Sequence, residues 1–125
     1  MSVIDEAKAK IKGRGLKLVM PEAEDARIAE AAARLKQQGL AEVILFGADT
    51  TPTAHPEAVA RIMALRPKLS EKLAHKFLQK PLYAAGGLVA TGAADAMLAG
   101  AANATARVIE AALMTIGPAE GIATP

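Results

Sequence analysis

A chain of 125 residues has the length of one ordinary domain. Of its residues 52% are hydrophobic, but 30 are alanine and only 29 are Leu, Ile, Val or Phe, which predicts a thin core of closely spaced helices. A net charge of +2 and three aromatic residues argue against a nucleic-acid binder, and the absence of cysteine excludes disulfides and thiolate metal sites.

No segment reaches the roughly 18 uninterrupted apolar residues of a membrane span. The first residues, MSVIDEAKAKIK, carry acids and no apolar run, so they do not read as a secretory signal. Cytoplasmic location is the expectation that fits these features.

Val3, Ile4, Ala7 and Ile11 recur at helical spacing, and Gly13 and Gly15 end that run. LKLVM at 16–20 reads as a short strand stopped by Pro21. The following EAEDARIAEAAARLKQQG reads as a helix with acids in its first turn, Lys36 in its last, and Gly39 at its C-terminal stop. The apolar AEVILFG at 41–47 predicts a second strand buried on both faces, as in a parallel sheet.

After a loop, ADTTPTAHP, helices are predicted over EAVARIMALR, from Ser70 onward, and over PLYAAGGLVATG, where Gly86–Gly87 suggests close packing. ADAMLAG at 94–100 predicts a third strand, and ATARVIEAALMTIG a helix closed by Gly117 and Pro118. Alternating strands and helices predict an α/β domain over 1–117, three layers with a mainly parallel sheet flanked by helices. Residues 118–125 read as a linker, or as the entry to a second domain.

Most motif searches return nothing. No Walker loop is present, and Gly13-Arg14-Gly15 precedes a strand instead of following one, so it is no dinucleotide fingerprint. His55 and His75 lack partners at metal spacing and read as surface residues; no metal site is predicted. Neither Ser2 nor Ser70 sits in a nucleophile elbow.

The hinge between the third strand and its helix is different. Parallel sheets bind ligands beyond the carboxyl ends of their strands, where Gly100 to Thr105 would lie. Small residues there expose backbone N–H groups beside a helix N-terminus. Asn103 or Thr105 would cap that helix, and Arg107 would reach an anion. The plainer reading, a capped turn with a surface arginine, stays equally open.

Between 61 and 80, six basic residues, among them Arg66, face one acid, Glu71. They read either as a patch for a polyanion or as a solvated helix face. The acidic PEAED run at 21–25 reads as a helix start.

Together these segments resemble the N-terminal part of the phosphate acetyl/butyryltransferase family. LVMPEAEDARIAEAAARLKQQGLAEVILFG at 18–47 carries its P-E-x-E-D-x-R pattern, and LRPKL lies at 65–69. KPLYAAGGLVATGAADAMLAGAANATARVIEAALMTIG at 80–117 carries its A-D-x-x-x-A-G-A signature. The resemblance implies acetyl transfer between coenzyme A and inorganic phosphate. It also implies two α/β domains of the isocitrate/isopropylmalate dehydrogenase-like type, with the site in the cleft between them, and commonly homodimers. No bound cofactor is expected, since coenzyme A and acetyl-CoA are substrates.

By that resemblance Arg66 matches a substrate-binding arginine. Arg66 and Arg107 would contact substrate anions, with Gly100, Asn103 and Thr105 offering donors. The family's proposed catalytic aspartate and its serine and arginine partners lie outside the matching segments, so the catalytic residues here are unknown. Two departures stand out: Glu110 occupies a position where the family often carries arginine, and the stretch between Phe46 and Arg61 is short. The implied chain would form one wall of the substrate cleft and be inactive alone, in partnership with a second domain or as a homo-oligomer. A non-catalytic coenzyme A- or anion-binding or oligomerisation module is the alternative.

Overall fold

The computed structural model describes residues 2–119 and 121. Its elements, in order, are α1 (Val3–Ile11), β1 (Lys17–Met20), α2 (Ala26–Gln37), β2 (Glu42–Leu45), α3 (Pro56–Leu65), α4 (Glu71–Leu78), α5 (Pro81–Ala90), β3 (Ala96–Met97) and α6 (Thr105–Thr115). The expected linker at 118–125 falls mostly outside the described residues.

The sheet has the order β2-β1-β3, and both pairings are parallel. Side chains on β1 alternate between two cores, as strand geometry requires. Val19 turns toward α5 with Phe46, Ala84 and Ala85, while Met20 turns toward Ile28 and Ala32 of α2. The sheet is therefore covered on both faces, which yields the predicted three layers.

One covering layer is thicker than the sequence indicates. α5 is apolar nearly all round: Ala84 and Ala85 meet the sheet, and Leu82 and Tyr83 join a third core with α3, α4 and α6. Ile62 and Leu78 are fully buried there, each contributing about 1.5–3 kcal/mol. Gly86 makes the α5–α6 approach possible, because a β-carbon at that position would lie 2.0 Å from the Thr115 hydroxyl oxygen.

Two boundary expectations are corrected. The third strand is two residues long, not seven. Asp95 N–H donates to the Lys17 carbonyl and Leu98 N–H to the Val19 carbonyl, after which the chain leaves the ladder. α2 starts at Ala26, with the Asp25 side chain accepting from Arg27 N–H, so Glu22 and Glu24 precede the helix and its first turn holds no acid. α1 forms where predicted, capped by a reciprocal Ser2–Asp5 box, but Val3 and Ile4 are 81% and 67% exposed, and no residue of α1 is buried. Gly39 stops α2 as expected, at φ +67°, with Leu40 N–H returning to the Leu35 carbonyl.

Candidate functional site

Pro21 closes β1, and the next residue turns inward. Glu22 is fully buried at the carboxyl edge of the sheet. Its Oε1 accepts the Gly100 and Ala101 N–H groups at 2.9 and 3.0 Å. Its Oε2 accepts the Ala102 N–H, the Asn103 N–H and the Asn103 side-chain amide, each at 2.8 Å. Burial opposes ionisation, yet the Asn103 amide and the backbone donors outweigh it and hold this carboxyl below its ordinary range.

Arg27 fastens the same loop from the other side. Its Nη2 donates to the Ala101 carbonyl and to Asp25 Oδ2, both at 2.8 Å. The two sequence patterns at 21–27 and 94–101 are thus the two halves of one clamp. An acid and a base from the first grip the backbone of the second.

That arrangement corrects the reading of the hinge. Gly100 and Asn103 do not offer their amides to a guest, because Glu22 already takes all four N–H groups from 100 to 103. Gly100, at φ +115°, lets the backbone present them in series. Neither Asn103 nor Thr105 caps α6: the N-cap is Ala104 without a side-chain bond, and Thr105 is the first helical residue. The acidic run at 21–25 supplies this buried anion as well as the Asp25 cap.

Space for a ligand lies beside the hinge. An open cleft of about 520 Å³ is lined by Lys80, Tyr83, Asn103, Arg107, Glu24 and Glu110, among others. Arg107 and Lys80 make no ion pair among the described residues. Lys80 Nζ rests 5.3 Å from the Phe77 ring centroid and 5.8 Å from that of Tyr83, within cation–π range. Tyr83 donates to Glu110 Oε1 at 3.0 Å. Burial, reinforced by that bond and the carboxylate charge, pushes the phenol up to about 12.

Arg66 stands elsewhere. It lines a second open groove of about 520 Å³ with Ala106, Ile109, Leu113 and Met114 of α6. The two arginines therefore address different cavities, and Glu110 borders both. The basic run at 61–80 is likewise divided, since Arg61 donates to the Thr115 and Ile116 carbonyls at the end of α6.

No cluster of potential metal ligands occurs among the described residues. His55 is half-buried and caps α3 through Nδ1, which accepts from Ala58 N–H at 3.3 Å, so it is more than the surface residue expected. Sequence reasoning missed Glu22, Tyr83 and Glu110 as site components. A glutamate directly after a strand-ending proline, opposite a run of small residues, was the available signal for Glu22.

A parallel α/β domain with an open cleft at the carboxyl edge of its sheet has the architecture in which ligands bind beyond the strand ends. The family it falls in is narrower. A profile described as phosphate acetyl/butaryl transferase matches residues 2–125, and the chain belongs to that family. The phosphate acetyltransferase of Paracoccus denitrificans is 32% identical, with 97% of this chain and 42% of that protein covered. The phosphate acetyltransferase of Acetivibrio thermocellus is 29% identical, covering 95% and 41%.

Solved structures agree. A phosphotransacetylase from Streptococcus pyogenes superposes with a TM-score of 0.84 at 30% identity, covering 98% of this chain and 45% of that one. The EutD phosphotransacetylase from Staphylococcus aureus gives 0.82 at 27% identity, covering 95% and 43%. The chain spans a little over two fifths of the length of the curated relatives it matches.

Proposed function

We propose that this chain supplies the phosphate-holding wall of an enzyme transferring an acetyl group between coenzyme A and inorganic phosphate. The observation carrying the reading is the cleft in which Arg107 and Lys80 face open space without an ion-pair partner among the described residues. Guanidinium and ammonium groups together bind a phosphate as a charge clamp. Arg66, in its largely apolar groove on α6, is the contact proposed for coenzyme A.

Transfer itself requires a base for the coenzyme A thiol and donors for the carbonyl oxyanion. Those roles are assigned to no residue of this chain. They fall to a second domain, which would also cover the half-exposed Ile109 and Leu98. No helix among the described residues is long and apolar enough to cross a membrane, and a cytoplasmic location is proposed with the activity.

Isothermal titration of the chain with inorganic phosphate tests the cleft. Saturable binding is expected, weakened about tenfold in Arg107→Ala through loss of a charge-assisted contact, and nearly unchanged in Arg66→Ala. Phosphate binding that ignores Arg107 would remove the basis of the assignment.

A further inference from the structure

We propose that Glu110 is a specificity-determining residue of the Arg107 cleft: its carboxylate, anchored by Tyr83, limits the bound anion to a single phosphoryl group. The inference rests on the anion-binding reading of the same cleft.

The lining holds two cations, Lys80 and Arg107, and two carboxylates, Glu24 and Glu110. The carboxylates differ in placement. Glu24 lies against Gly47, at the side of the loop after β2. Glu110 accepts the hydroxyl of Tyr83, whose body is buried in the α3–α6 core with 7% exposure. An anchored phenol gives Glu110 a fixed position, whereas a free glutamate would swing toward solvent.

Glu110 follows Arg107 by three residues on α6, so the two side chains emerge on one helical face. They nevertheless form no ion pair. Arg107 is left to bind a ligand, and Glu110 stands as a fixed negative charge close to where that ligand sits. The phosphoryl group of the proposed ligand sits at Arg107 and Lys80, which share this lining. A second brings further negative charge toward the carboxylate. Like charges about 6 Å apart, at an effective dielectric between water and a protein surface, weaken binding roughly threefold to a hundredfold per charge. Within the Arg107 cleft, inorganic phosphate and acyl phosphates bring less charge toward Glu110 than a second, linked phosphoryl group would.

The test is a calorimetric comparison of inorganic phosphate and pyrophosphate at one low ionic strength, on the full chain and on Glu110→Gln and Glu110→Ala. Glu110 is exposed on the helix, so both variants should fold, and a thermal melt checks this. Pyrophosphate affinity is expected to rise about tenfold in both variants, while phosphate affinity changes less than threefold. An unchanged pyrophosphate-to-phosphate ratio, with phosphate binding still dependent on Arg107, overturns the role of Glu110 and leaves the cleft reading standing. Absence of phosphate binding in every protein overturns the cleft reading, and this proposal with it.

Discussion

Glu22 is held by five donors from residues 78 to 81 positions away, and it is the best-connected carboxylate of the site. Hydrogen bonds to a charged group are stronger than neutral ones, and a buried donor left unpaired is costly. Glu22→Gln keeps the shape but replaces one acceptor oxygen with an N–H₂ group facing other donors. A loss of roughly 2–4 kcal/mol is expected at neutral pH. Because the folded carboxyl titrates below its ordinary value of 4.5, its contribution is complete above that pH and disappears as pH falls through the lower, folded value. Urea titrations should therefore show wild type and Glu22→Gln converging in acid. A difference that does not vary with pH would sink the charge-based account.

At the scale of elements, α5 sets the spacing of the molecule. Its Gly86 faces the Thr115 hydroxyl of α6, and its Gly87 meets Ala58 and Leu78. A methyl at Gly86 has no room, so Gly86→Ala should cost about 1–3 kcal/mol despite alanine's better helix propensity. Thr115→Ala in the same chain should recover part of that loss; equal urea midpoints for Gly86→Ala and wild type would contradict the packing. The sequence made this pair legible, since two glycines inside an apolar helix invite close approach. Helices whose signals are local were equally readable: Ser70 and Gly39 mark true ends. The third strand was overdrawn because an apolar run carries no information about where its neighbour stops bonding. Arg107 was legible as a residue type in a telling place. Glu22, Tyr83 and Glu110 were not, because their roles depend on partners 27 to 81 residues away, and periodicity cannot see across such distances.

For the whole molecule, three parallel strands are covered by helices on both faces, while the relatives it matches are more than twice as long. The purified chain, supplied with acetyl-CoA and inorganic phosphate, is expected to form no acetyl phosphate above the uncatalysed rate. A coupled assay for free thiol measures this directly, and sustained turnover would show that the base and oxyanion donors lie within these 125 residues. Among the described residues, six side chains of moderate or large apolar size remain exposed, including Ile109, Leu98, Val3 and Ile4. They are scattered over α1, β2, α4, β3's exit and α6, so no single face monopolises them.

The reach of the Glu22 clamp has a temporal side. A ribosome releases the central strand and its acid long before residues 100–103 exist, and early contacts between distant segments are slow to form. Until that loop emerges, the nascent carboxylate has only water for company and the middle strand one open flank. Completion of the sheet is thereby tied to synthesis of residues 96–103.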